Sequence, residues 1–133
     1  MIIEAYKRNQ TTLEVEKCSY EEVIEFVKNT IEIECDTETW GFDPYQNDIL
    51  CIQFGNENNQ YLIKWDDSII PDLKKLFADN TKTFLFQNAK FDLQFLYHKG
   101  ILVANVYDTF LVESILTNSD RYTAKGLKDL VKR

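Results

Sequence analysis

Apolar and acidic residues alternate strictly over residues 31–36, which read Ile-Glu-Ile-Glu-Cys-Asp. A period of two predicts a β-strand with one apolar face and one acidic face. Upstream, residues 12–17 form an extended stretch, and a capping box at residues 19–22 (Ser-Tyr-Glu-Glu) predicts the start of a helix. The apolar stripe of that helix is formed by Val23, Phe26 and Val27. We therefore expect a helix to lead into the strand.

Two further apolar runs, at residues 49–54 and 61–65, are separated by the polar connection 55–59 (Gly-Asn-Glu-Asn-Asn). This arrangement predicts a β-hairpin with a five-residue loop. Pro71 suits the first position of a helix, and the i, i+3, i+4 spacing of apolar residues after it supports one. Those apolar residues are Leu73, Leu76 and Phe77, and a fourth strand is predicted at residues 83–86.

Helices and strands alternate in the rest of the chain. A helix containing Phe91, Asp92, Phe95 and Leu96 is expected to end near Gly100, and a fifth strand is predicted at residues 101–107. Asp108 is then expected to cap a helix, and a last amphipathic helix is predicted over 123–133. Three antiparallel-type strands followed by parallel β-α-β units predict an α/β fold with a mixed sheet and flanking helices.

Length and charge restrict the class of protein. A chain of 133 residues suits one domain, and 44% hydrophobic with 28% charged residues is ordinary globular composition. The net charge is −7, with −9 in residues 1–66 and +2 in residues 67–133. A protein that coats duplex DNA through phosphate neutralisation would carry a basic stripe, so that role is disfavoured.

The three cysteines, Cys18, Cys35 and Cys51, have no CxxC spacing, and two of them lie in apolar strand-like runs. This pattern predicts reduced core residues of an intracellular protein. The first residues lack the apolar segment of a signal peptide, and no apolar run has the length needed to span a bilayer. We expect a cytoplasmic protein with no membrane partner.

Asp36 and Glu38 lie two residues apart on the predicted strand. Their side chains should leave the same face, with Cα atoms about 6 to 7 Å apart. Such a pair can bind Mg²⁺ or Mn²⁺, which prefer carboxylate oxygens and which neutralise charge during phosphoryl transfer. The alternative is a solvated strand face, and the neighbouring Glu32 and Glu34 favour that alternative.

Two longer sequence segments, one containing the acid pair and one later in the chain, resemble motifs of a known family. Residues 36–45 (Asp-Thr-Glu-Thr-Trp-Gly-Phe-Asp-Pro-Tyr) and 88–92 (Asn-Ala-Lys-Phe-Asp) resemble the first two motifs of the DEDD (DnaQ-like) 3′→5′ exonucleases. The resemblance is strongest to the proofreading domains of family A DNA polymerases and to ribonuclease D relatives. Residues 107–111 and 125–131 look like segments that this family places between its second and third motifs. Nearly all of residues 31–133 is covered.

The resemblance implies an RNase H-like fold and a two-metal 3′→5′ exonuclease. It assigns Asp36, Glu38 and Asp92 as catalytic residues that bind two Mg²⁺ or Mn²⁺ ions. The implied substrate is the 3′ end of single-stranded nucleic acid, DNA rather than RNA, cleaved to nucleoside monophosphates. RNA trimming of the ribonuclease D kind is the alternative. The implied substrate-binding residues are Thr37 through its backbone amide, Phe42 as an apolar wedge, Asn88 and Phe91.

Several of these residues also suit structural roles. Phe42 and Phe91 could be core residues, which composition alone favours, and Trp40 has the same ambiguity. Asp108 is explained first as a helix N-cap, although it could also lie on the sheet edge of Asp36. His98, the only histidine, is expected at a helix end where the helix dipole stabilises it.

The family's third motif, Tyr-x-x-x-Asp or a His with an Asp five residues later, is absent from this chain. We therefore expect a single exonuclease-like domain over residues 1–133, intact at its N-terminus and shortened at its C-terminus, with weak or no activity. The fourth acid would come from a polymerase domain or a partner chain. The alternatives are a naturally short protein that needs a partner and a catalytically inert module that binds nucleic acid or docks a partner.

Overall fold

The computed structural model describes residues 2–109. The helices in this part are α1 (Tyr20–Lys28), α2 (Ile70–Phe77), which follows a 3-10 turn at Asp67–Ile69, and α3 (Ala89–His98). The strands are β1 (Ala5–Arg8), β2 (Val15–Cys18), β3 (Glu32–Thr39), β4 (Ile49–Gly55), β5 (Gln60–Lys64), β6 (Thr83–Phe86) and β7 (Val106–Asp108). They form one sheet in the order β2-β1-β5-β4-β3-β6-β7.

The sheet is mixed, as the sequence predicts. Strands β3, β4 and β5 pair antiparallel, whereas β6 pairs parallel with β3 on one side and with β7 on the other. The carboxyl ends of β3, β6 and β7 therefore share one edge of the sheet. Side chains that follow these strands are brought together at that edge.

The alternation of apolar and acidic residues gives β3 one buried face and one exposed face, as predicted. Ile33, Cys35 and Thr37 are buried, whereas Glu32, Glu34, Asp36 and Glu38 are exposed. The predicted helix start is confirmed, because the Ser19 hydroxyl accepts a hydrogen bond of 3.1 Å from the Glu22 amide at the start of α1; the Glu22 carboxylate bonds to Lys7 and Tyr61. Local sequence patterns thus determine both elements.

The hydrophobic core joins the sheet to the helices. Phe77 of α2 packs between Phe54 of β4 and Phe84 of β6, with ring centroids 6.0 and 4.5 Å away. The buried ammonium group of Lys82 donates to the carbonyl oxygens of Lys28 and Thr30, at 2.6 and 2.8 Å. A lysine charge held by backbone carbonyls can be buried because its hydrogen bonds are satisfied.

Some element boundaries differ from the prediction. The hairpin loop has four residues, 56–59, because Gly55 still pairs with Gln60. The fifth strand is limited to β7, since the Ile101 amide bonds back to Leu96 at the end of α3. Strand β1 was not predicted, and it pairs with both β2 and β5.

The helix predicted after Asp108, with its apolar stripe, and the helix predicted over 123–133 lie outside the described residues. Within residues 2–109, no helix combines the length and the apolar character that crossing a bilayer requires.

Candidate active site

Asp92 connects α3 to the first core strand. Its Oδ1 atom accepts a hydrogen bond of 3.2 Å from the Thr37 amide and a second, short one from the Thr37 hydroxyl. Thr37 lies between Asp36 and Glu38 in the sequence. The three acids named by the resemblance therefore come from two elements and meet around one residue of β3.

The electrostatics of this region oppose full ionisation. The pKa of Asp92 is raised to about 6, chiefly by burial; the hydrogen bonds from Thr37 lower it, and the charges of Asp36 and Glu38 raise it. Burial also raises the pKa of Asp36, with Glu38 as the second cause. Carboxylates that repel one another in this way are stabilised by a nearby cation.

The three carboxylates are neighbours, but their oxygen atoms do not surround one common position. Across the described part of the chain, no three His, Cys, Asp or Glu side chains surround a common position as a ligand set. The strand geometry explains this, because Thr37 occupies the buried face whereas Asp36 and Glu38 occupy the opposite one. Asp92 therefore reaches β3 on the face from which Thr37 projects.

The residue types nevertheless suit a divalent cation. Asp92 is 2% exposed, and among residues 2–109 its Oδ2 atom has no hydrogen-bond donor. A buried carboxylate oxygen without a partner is costly, and carboxylate oxygens are the ligands that Mg²⁺ and Mn²⁺ prefer. Asp36, Glu38 and Asp92 are thus a chemically suitable donor set.

A cleft of about 790 Å³ opens beside these acids. Asp36, Thr37 and Asp92 line it, together with Phe42, Asn88 and Phe91 from the predicted substrate-binding set. Glu38 lies on the same strand face as Asp36 without lining the cleft. The Thr37 amide, which the resemblance assigns to the substrate, donates to Asp92 in this structure.

The two phenylalanines differ in burial. Phe42 is 88% exposed, so the interpretation of Phe42 as a core residue is wrong. Phe91 is half-buried and packs against the core, with its ring 5.1 Å from that of Phe95. The Phe42 ring meets Phe91 edge-on at 6.3 Å. One ring is thus anchored, and the other is presented to solvent at the mouth of the cleft.

The remaining candidates are Trp40, His98 and Asn88, and only Asn88 lines the cleft. Trp40 is 69% exposed, so it is not a core residue either. His98 is the last residue of α3, as predicted, and its ring packs on Tyr45 at 4.2 Å, away from the cleft lining. Asn88 lines the cleft from the junction between β6 and α3, in a left-handed backbone conformation.

Gln53 is a cleft residue that the sequence interpretation missed. It lies directly opposite Asp36 in the antiparallel pair of β3 and β4, and it lines the same cleft. The available signal was a polar residue inside the apolar run 49–54.

Solved structures of nucleases are similar to this fold. A structure described as the apo form of a nuclease has a TM-score of 0.68 and 26% identity, over 86% of this chain and 55% of that chain. NrnC of Brucella melitensis bound to pGG has a TM-score of 0.65 and 27% identity, over 78% of this chain and 52% of that chain. A further structure of NrnC contains Mg²⁺, with a TM-score of 0.66.

The fold is therefore that of the RNase H-like exonucleases. Residues 15–133 match the sequence profile of the 3′–5′ exonuclease family, and the chain belongs to this family. DNA polymerase I of Aquifex aeolicus (strain VF5) is 33% identical over 94 residues, which is 70% of this chain and 15% of that protein. The resemblance to the DEDD exonucleases is confirmed.

This chain spans about half the length of the solved nucleases described above and a much smaller part of DNA polymerase I. The activities and substrates of those longer proteins are theirs. For this chain they are proposals to be tested.

Proposed function

We propose that this chain acts as a metal-dependent 3′→5′ exonuclease on single-stranded DNA ends and releases nucleoside monophosphates. The observation that supports this most is the contact between Asp92 and Thr37, which places an acid from α3 beside the acid pair of β3. Asp36 and Asp92 at the wall of an open cleft, with Glu38 two residues from Asp36 on the same strand, suit phosphodiester hydrolysis better than passive binding of a polyanion, which these acids would repel.

Asp36, Glu38 and Asp92 would hold Mg²⁺ or Mn²⁺, two ions in the complete site. A divalent cation lowers the pKa of bound water and neutralises the charge that develops on a phosphate. The chain's own residues hold the acids in place, because Thr37 fixes Asp92 through two hydrogen bonds. A polymerase domain or a partner chain would supply the fourth acid.

The substrate end would enter the cleft past Phe42. An exposed aromatic ring supported by a second one can stack on any base, which suits an enzyme that removes nucleotides regardless of sequence. Asn88 would contact the sugar-phosphate. The similarity to DNA polymerase I favours DNA, whereas the pGG bound to NrnC makes short oligonucleotides the second substrate class to test.

The test is a 5′-labelled single strand incubated with the protein and Mn²⁺. We expect a slowly formed ladder of shortened products, because the chain lacks the third motif. The ladder should be absent with Asp36→Ala, because that substitution removes a proposed metal ligand. Glu32→Gln is the matched control, since Glu32 is an exposed acid on the same face of β3 and does not line the cleft. It should leave the ladder intact.

An RNA strand of the same sequence and the dinucleotide pGG are included as parallel substrates. A ladder on DNA supports the proposal as stated, and cleavage restricted to RNA or pGG would reassign the substrate. A ladder that persists in Asp36→Ala would contradict the metal site.

The second candidate is a catalytically inert module that binds nucleic acid. The observation in its favour is that the three carboxylates of residues 2–109 do not converge as a ligand set. Fluorescence anisotropy with a labelled single strand separates the two candidates. Binding without any ladder, and without an effect of Asp36→Ala, would support the inert module.

Phe42→Ala is expected to weaken single-strand binding by about 1 to 3 kcal/mol, because it removes a stacking surface. Its stability should change by less than about 0.5 kcal/mol, because the side chain is almost fully exposed. Anisotropy titration and thermal melting check the two effects. Phe91→Ala is the comparison, since loss of its core contacts should lower the melting temperature. Unchanged single-strand binding in Phe42→Ala would show that Phe42 does not stack on the substrate.

A further inference from the structure

Asp108 is hydrogen-bonded to the start of the helix that carries Asp92. It ends β7 and pairs with Phe86, the last residue of β6. Its Oδ1 accepts from the Asn88 amide at 3.1 Å, and its Oδ2 accepts from the Ala89 amide at 3.0 Å. Both oxygens of this carboxylate thus accept hydrogen bonds at the start of α3, from the N-cap residue Asn88 and from the first helical residue Ala89.

The Asn88 backbone turns the chain from β6 into α3. Its φ and ψ are both 61°, in the left-handed region, which asparagine adopts more readily than most residues with a side chain. Its own side chain makes no capping hydrogen bond to the helix. The carboxylate of Asp108, which is 20 residues away in sequence, performs the function that an N-cap side chain usually performs.

The position of Asp92 depends on that junction. The Asn88 carbonyl accepts from the Phe91 amide at 3.1 Å, so the first turn of α3 starts from the conformation that Asp108 holds. Asp92 is the fourth residue of α3, and its carboxylate then meets Thr37. A second bond ties the two strand ends together, because the Thr109 hydroxyl donates to the Phe86 carbonyl at 3.1 Å.

We propose that Asp108 is a positioning residue of the active site. Its carboxylate fixes the start of α3 and thereby holds Asp92 against Thr37. Asp108 acts through the backbone of Asn88 and Ala89. Because Asp92 is a metal ligand only under the function proposed above, the metal-binding part of the test rests on that proposed function.

The experiment compares Asp108→Ala with Ser19→Ala in the full chain. Ser19→Ala removes an N-cap from α1, so it serves as the control for loss of a helix cap at a site that does not line the cleft. Amide hydrogen exchange at Thr37 is measured by NMR, and Mn²⁺ affinity is measured by calorimetry. Asp108→Asn is included because its side chain keeps one acceptor oxygen.

In Asp108→Ala we expect Thr37 exchange to accelerate by about ten-fold over Ser19→Ala, and Mn²⁺ affinity to fall by about ten-fold, a typical loss when support of a metal ligand is removed. Ser19→Ala should keep the wild-type Mn²⁺ affinity, and Asp108→Asn should fall between wild type and Asp108→Ala. Exchange at Thr37 no faster than in Ser19→Ala would overturn the proposal. If the wild type binds no Mn²⁺, the proposed function fails, and the exchange measurement still decides the role of Asp108.

Discussion

Asp92→Asn is expected to stabilise the folded protein at pH 7.5 in the presence of a chelator. Burial, followed by the charges of Asp36 and Glu38, sets the pKa of Asp92 near 6 instead of its ordinary 3.8. An ionised Asp92 is therefore unfavourable in the folded state at neutral pH. Asparagine removes the charge and keeps an oxygen that can accept both hydrogen bonds from Thr37.

The direction of this pH dependence follows from the coupling between proton binding and folding. The pKa is higher in the folded than in the unfolded chain, so the folded state binds this proton more tightly, and the resulting stability is present below pH 4 and lost as the pH rises through 6. The full difference corresponds to about 3 kcal/mol at neutral pH. We expect the substitution to regain most of that amount, or roughly 10 °C in melting temperature.

Thermal melts of wild type and Asp92→Asn at pH 7.5 and pH 4.5 check this. The advantage of the variant should shrink at pH 4.5, where Asp92 is protonated in the folded wild type. Glu32→Gln should shift the melting temperature little at either pH, because Glu32 is exposed. A variant less stable than wild type at pH 7.5 would show that the charge of Asp92 is already compensated.

Most of the sheet could be predicted because its strands carry strong local patterns. The alternation at residues 31–36 and the hairpin signal after Ile49 correspond to β3, β4 and β5. Strand β1 has no such pattern in its four residues, and its pairing partners are 13 and 58 residues away for Ala5, at Cys18 and Ile63. Its existence depends on tertiary pairing, which a local pattern does not report.

The candidate site also has a part that the sequence predicted and a part that it did not. Asp36, Glu38 and Asp92 were identified because their motifs resemble a family, but the role of Asp108 at α3 was not. Its contact depends on the parallel pairing of β6 with β7, which brings Asp108 beside Phe86 and hence beside the first amides of α3. The sequence indicated a capping function for Asp108 but could not indicate a helix that begins 19 residues earlier.

Divalent cations are expected to stabilise the wild-type protein strongly at pH 7.5 and weakly at pH 5. A cation bound among Asp36, Glu38 and Asp92 would offset the repulsion that raises the pKa values of Asp36 and Asp92. Binding to the folded state alone adds about 3 kcal/mol when the cation is at one hundred times its dissociation constant. Protons compete for the same oxygens, so the effect should fall as the pH drops through 6, where Asp92 becomes protonated.

Melting temperatures with Mn²⁺, with Mg²⁺ and with sodium chloride at equal ionic strength measure this effect. The cation-specific increase should disappear in Asp36→Ala and should remain in Glu32→Gln. Of these two acids, Asp36 is next to Thr37, which bonds to Asp92, whereas Glu32 is not. Sodium chloride should reproduce little of the increase, since screening acts weakly on charges that are partly buried. An equal increase in Asp36→Ala, or an increase that persists unchanged at pH 5, would place the bound cation somewhere other than at these three carboxylates.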